Sequence, residues 1–332
     1  MKIQWYPGHV ARARREIKDH LKLVDIVIEV IDARCPNSSI NFLSEEIKNK
    51  KHLLILNKYD LADEKKVKIF VDAHRASSTW AKRNDAHRAS STWAKRNDAH
   101  GASSTWAKRN DAHRAFSTGE EGARTGRPLG DIEILCLDSR NNDIKKLVDK
   151  KINKLCDEIV KKNELKGIQN MQIKAMVVGM PNVGKSTFIN SYVKKKVNNV
   201  ANTPGVTKRL QWAKISDKLL LLDTPGVTVP KFSSDRVGTN LAIVGSLNDD
   251  IVEKQDLAYE FLDIIKNEYF ELLKKRYKLK EVNNESPTLD IMNEIAKNTL
   301  CIKKGNEINY EKVSVLILTD FRNGLIGKIS LD

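Results

Sequence analysis

The sequence predicts an α/β domain built on a parallel sheet, with an all-α segment after it. Three observations predict it. First, several apolar runs each end in polar residues: "VDIVIEVIDAR" (24–34), "HLLILNKYD" (52–60), "IEILCLDSR" (132–140) and "KLLLLDTPG" (218–226). Runs without apolar–polar alternation are expected of strands covered on both faces, as in a parallel sheet. Second, "IKAMVVGMPNVGKSTFINSYV" (173–193) reads as strand, glycine-rich turn and helix. Third, Leu257, Phe261, Ile264, Ile265 and Leu272 recur at helical spacing near the C-terminus, which predicts an amphipathic helix in the core of a bundle. Ligands of open parallel sheets sit at the C-terminal ends of the strands, where each polar motif falls.

The 332 residues are enough for one large α/β domain and a smaller one, each with its own core. No run reaches the about 18 apolar residues of a membrane span, so no membrane association is expected. The N-terminal "MKIQWYPGHVARARREIK" enters charged residues without an apolar signal core. Cys35, Cys136, Cys156 and Cys301 are far apart and show no metal-ligand spacing. They read as free thiols in a reducing compartment, so the cytoplasm is the expected location. The net charge of +15 fits a nucleic-acid partner, and it fits a lysine-rich solvated surface equally well.

Part of that charge comes from a tandem repeat. "DAHRASSTWAKRN" occupies 72–84, recurs at 85–97, and recurs at 98–110 with Gly101 in place of arginine; a partial fourth copy begins at 111. Three of the five tryptophans and four of the seven histidines lie in it. A 13-residue period matches none of the common solenoids. A surface excursion, loop-like or partly helical, is expected over 72–127; an array of metal ligands or stacking rings is the other reading.

Gly179 to Ser186 match GxxxxGK[ST] between a strand and a helix. The glycines allow a tight turn whose N–H groups, with the helix N-terminus, surround phosphates. Lys185 would reach the β- and γ-phosphates, and the Ser186 hydroxyl would ligate Mg²⁺. "DTPG" offers Asp223 for the Mg²⁺ shell and the Gly226 N–H for a γ-phosphate. "NTPGVTK" (202–208) offers Thr207 as a second Mg²⁺ ligand; a turn with an incidental threonine is the other reading. In "NKYD", Asn57 can pair with the N7 and O6 side of a purine. The Lys58 stem can lie along the base, and Asp60 can accept from the N1–H and 2-amino group that only guanine presents. Ser139 of "LDSR" can add backbone contacts to the base.

The order is therefore base motif, second base loop, phosphate loop, switch threonine, DTPG. It is a circular permutation of the usual GTPase order, which a packed sheet tolerates because its strands depend on neighbours in space. With "WYPGHVARARREI", "VIDARCPNSS", "NKYDLAD", "GMPNVGKSTFIN", "NTPGVTKRLQW", "DTPGV", "VGTNLAIVGSLNDD" and "INYEKVSVLILTDFRNGLIGKISL", the chain resembles the circularly permuted GTPases of the ribosome biogenesis GTPase A family. The resemblance covers nearly the whole chain except the repeat.

That resemblance implies a P-loop GTPase sheet over residues 1–245, with 72–127 inserted, and a helical RNA-binding domain over 246–332. It implies GTP hydrolysis in late maturation of the large ribosomal subunit, with contact to its ribosomal RNA; a GTPase acting on RNA outside ribosome assembly is the alternative. It makes Asn57, Lys58, Asp60 and Ser139 base readers and places Asn182, Val183, Gly184, Lys185, Ser186 and Thr187 in the phosphate loop. Thr207 falls in the first switch, and Asp223 and Gly226 in the second. Asn182 matches an asparagine that helps hold K⁺ beside the phosphates. Val227 stands where Ras-type GTPases have the water-orienting glutamine, and the resemblance points to His9 as a catalytic residue beside Lys185, Thr207 and Gly226; a helix-start or RNA-contact residue is the other reading of His9. Val10, Ile17 and Leu21 form one apolar stripe, with Arg12, Arg14, Arg15 and Lys18 outside it; an RNA-facing patch and a solvated helix face both fit. A monomer is expected.

Overall fold

The computed structural model describes residues 15, 17–40, 47, 50–76, 132–141, 143–167, 172–193, 211–216, 219–223, 232, 234–248 and 252–332. His9, Thr207, Gly226 and nearly all of the repeat lie outside them; of Asp223, only the backbone is described.

Six strands form one sheet: β1 (Ile26–Asp32), β2 (Lys51–Asn57), β3 (Ile132–Cys136), β4 (Ile173–Val178), β5 (Gln211–Ser216) and β6 (Leu219–Asp223). Their spatial order is β3-β2-β1-β4-β6-β5. All neighbours pair in parallel except β5 and β6, which pair antiparallel at one edge. The apolar runs predict five of these strands. The edge strand β5, "QWAKIS", mixes polar and apolar residues and lacks their signature.

Every residue of β1 is buried, because helices cover both faces of the sheet. Ile26, Ile28 and Val30 face a core that includes Val148 and Ile152 of α3 (Ile144–Glu164) and Phe188 of α4 (Lys185–Val193). On the other face, Val27 packs with Ile17 and Leu21, and Ile31 packs with Val67 and Phe70 of helix α2 (64–76). Between β1 and α2, residues Pro36–Ser39 make the single turn α1. One charged side chain interrupts the apolar run: Glu29 is fully buried and lies 3.1 Å from His52 on β2.

Helix α5 (Asp235–Ile243) leads to the C-terminal helices α6 (Lys254–Tyr277), α7 (Thr288–Asn298) and α8 (Tyr310–Arg322). Leu257, Phe261 and Ile265 of α6 are buried against Ile317 and Phe321 of α8, while Ile264 and Leu272 pack partly buried at the margin. The predicted amphipathic helix is therefore bundle core. The helical region continues into the sheet's own core through Leu241, Ile243 and Val244. Among the described residues, no helix is long and apolar enough to cross a membrane, and all four cysteines are free thiols.

Candidate nucleotide site

The loops after β2, β3 and β4 meet at the C-terminal edge of the sheet and are joined by side chains. Asn57, the last residue of β2, donates its amide to the Val183 carbonyl at 2.7 Å and accepts from the Ser139 N–H at 2.9 Å. It thus ties all three loops together. Lys58 adopts a left-handed backbone (φ 58°), which turns its side chain back so that Nζ donates to the Asn182 carbonyl at 2.8 Å and to Asp32 Oδ2 at 2.9 Å. The residues read from two distant motifs thus share one site.

The glycine at position 184 is required by this arrangement. Its φ is 95°, and a Cβ there would lie 2.2 Å from the Asn57 amide nitrogen. Lys185 begins α4 and is buried, with Nζ donating to the carbonyls of Gly179 and Met180 at 3.1 and 2.8 Å. A cavity of about 590 Å³ opens between the joined loops. Asn57, Lys58, Ser139, Asn182, Gly184 and Thr187 line it, and Val244, Arg322 and Asn323 form its far wall.

Beneath the cavity lies a charge cluster that the motifs did not reveal. Arg34 contacts both oxygens of Asp32, at 2.9 and 2.8 Å, with both residues buried. Burial alone would push the Asp32 carboxyl up; Arg34 and Lys58 more than reverse this and hold it far below the usual carboxylate range. Burial also draws the Lys58 ammonium below its ordinary value, with Asp32 opposing. One carboxylate with two cations leaves a net positive charge beside the phosphate loop, a field that favours an anionic ligand.

Arg34 also anchors the helical region: its Nη1 donates to the Arg322 carbonyl at 3.3 Å, and its guanidinium stands 4.9 Å from the Phe321 ring centre. Arg322 in turn donates to the carbonyls of Ile243 and Ala242 at 3.0 and 2.9 Å, closing the end of α5. Asn182 of the phosphate loop donates to the Gly245 carbonyl at 2.8 Å. Tyr269 of α6 donates to Asp63, next to the base loop, at 3.0 Å. The sequence signal for Arg34 was the charged pair in "VIDARCPNSS"; nothing local marked its partners 288 residues away.

Two chemical features fit a nucleoside triphosphate. Asp60 Oδ1 is buried without a hydrogen-bond partner among the described residues, as an acceptor awaiting a donor would be. Lys185 is held by carbonyls that it can leave for a phosphate. The permuted sheet order and the joined base and phosphate loops define a P-loop GTPase.

A family model described as "50S ribosome-binding GTPase" matches residues 174–297. The Ribosome biogenesis GTPase A of Bacillus cereus is 35% identical, over 100% of this chain and 94% of the relative. That of Thermotoga maritima is 24% identical over 99% of this chain and 94% of its own length. The GDP-bound structure of TM YlqF superposes with a TM-score of 0.54 at 22% identity, covering 96% of this chain and 98% of that one, which shows the shared fold. The chain belongs to the ribosome biogenesis GTPase A family.

Proposed function

We propose that this GTPase is an assembly factor that binds the large ribosomal subunit and promotes its late maturation. The observation that carries the reading is the match of the whole chain, at 35% identity, to a relative named for ribosome biogenesis. On this reading residues 1–245 are the GTPase domain and 246–332 are a helical domain that touches ribosomal RNA. Work in the cytoplasm follows from it.

In the site, Asn57, Lys58, Asp60 and Ser139 bind guanine. Asn182, Val183, Gly184, Lys185, Ser186 and Thr187 enclose the phosphates with their N–H groups, the Lys185 charge and the Ser186 and Thr187 hydroxyls. The residues fit a magnesium ion: Ser186 lies in the first turn of α4, Asp223 ends β6, and Val177 of β4 pairs in register with Asp223. A hydroxyl residue in the helix that follows β4 and a carboxylate residue at the end of the neighbouring β6 make a donor set that magnesium accepts together with phosphate oxygens. When bound there, the ion would neutralise charge on the transferred phosphoryl group. Thr207 would join Ser186 and Asp223 as a ligand, and Asn182 would help hold K⁺. The Gly226 N–H would meet the γ-phosphate, and His9 would do the work of the glutamine that Val227 replaces.

Two experiments test this. GTP turnover in potassium buffer should rise strongly with purified large ribosomal subunits and not with small ones; equal turnover with both would overturn the assembly-factor reading. Asp60→Asn should move binding preference from guanosine to xanthosine diphosphate, because an amide can donate where the carboxylate only accepts. Unchanged preference would remove Asp60 from base reading.

A further inference from the structure

The base-reading carboxylate does not stand alone at its loop. Arg140, in the turn after β3, places Nη2 2.5 Å from Asp60 Oδ2. The same guanidinium is clasped by Asp138, through Nε at 2.9 and 3.2 Å to the two oxygens and through Nη2 at 3.1 Å. The turn itself is stiffened, because the Arg140 N–H donates to Asp138 Oδ1 at 2.9 Å. It is also anchored to the base strand, since the neighbouring Ser139 N–H donates to Asn57. Arg140, Asp138 and Ser139 line the same cavity as Asn57 and Lys58.

We propose that Arg140 is a specificity-determining positioning residue, which orients Asp60 for guanine. Guanine offers two parallel donors, the N1–H and the 2-amino group, so both oxygens of its acceptor must lie in the base plane. A carboxylate on a short turn rotates freely unless something holds it. Arg140 holds Oδ2 from the side, and this leaves Oδ1 buried, without a partner among the described residues, and able to accept. Asp138 completes the device: it fixes the planar fork in place, which a lone arginine with 65% side-chain exposure could not do for itself. An exposed ion pair contributes little to folding stability, so the arrangement matters for geometry more than for stability.

This inference rests on Asp60 as the guanine reader, and the test separates the two. GDP and inosine diphosphate are titrated against the full chain and its Arg140→Ala, Arg140→Lys and Asp60→Asn variants. Inosine keeps the N1–H and lacks the 2-amino group, so the ratio of the two affinities reports the second hydrogen bond. Arg140→Ala should weaken GDP by about tenfold and inosine diphosphate far less, the size expected for one hydrogen bond to a charged group. Arg140→Lys should restore part of the ratio, since it returns a point charge without the fork. Equal weakening of both nucleotides, or none, while Asp60→Asn still turns to xanthosine diphosphate, would overturn the role of Arg140 and leave Asp60 standing. If Asp60→Asn shows no such turn, both assignments fall.

Discussion

Lys185→Ala is expected to lower GTP turnover by about 100-fold or more, the usual cost of removing one preorganised donor from a developing anion. The fold should survive. Lys185 leans on the Gly179 and Met180 carbonyls of its own loop. The loop's N–H groups remain to bind phosphates, so the loss should fall more on hydrolysis than on binding of GDP. Single-turnover hydrolysis with a parallel GDP titration checks this. Wild-type turnover in the variant would mean that the charge stabilising the transferred phosphoryl group comes from elsewhere.

Arg34→Met should cost about 3 kcal/mol of stability, near the lower end for breaking a buried ion pair by removing one partner. The lower end applies because Lys58 still faces Asp32 at 2.9 Å. Arg34 is only 1% exposed and also supports the Arg322 carbonyl and the Phe321 ring. Urea unfolding of the variant and the parent measures the difference. Acid adds a second reading. The Asp32 carboxyl is depressed in the folded protein, so its stabilisation is present above the ordinary carboxylate range and is lost as pH falls through the depressed value. Without Arg34 that depression shrinks, so the Asp32-linked acid loss should be smaller and should end at a higher pH than in the parent. The Asp32→Asn, Arg34→Met pair should recover part of the deficit, since the buried carboxylate is no longer left without its arginine, while Lys58 keeps the Asn182 carbonyl.

The parts legible from sequence share one property: each is written in neighbouring residues. The Gly179–Ser186 turn, the "NKYD" strand end and the five apolar strands are patterns within about ten positions of one another. What escaped was made by contact across the chain. β5 is a strand because β6 offers it a partner, not because "QWAKIS" demands one. Arg34 looked like an ordinary polar residue after a strand, and its buried role depends on Phe321 and Arg322. Arg140 stood beside Ser139 in a short loop motif, and its meaning needed the distance to Asp60. The assignments of His9, Thr207 and Gly226 concern residues outside those described; Thr207 and Gly226 stand on their motifs and His9 on resemblance.

The closing residues of the chain return to its opening strand. The Leu331 N–H donates to the Arg34 carbonyl at 2.7 Å and the Ile329 N–H to the Leu61 carbonyl at 3.1 Å, while Asp332 caps the N–H groups of Asn37 and Ser38. Ser330 reaches Ala33 across 297 positions. During synthesis at about 5–20 residues per second, this seam waits roughly 15–60 s after its first half is made. Strand β1 and the "DARCP" turn therefore stay incompletely covered until residues 329–332 have been made. A large-subunit assembly GTPase thus needs a ribosome to make residues 329–332 before its own nucleotide site is fully backed.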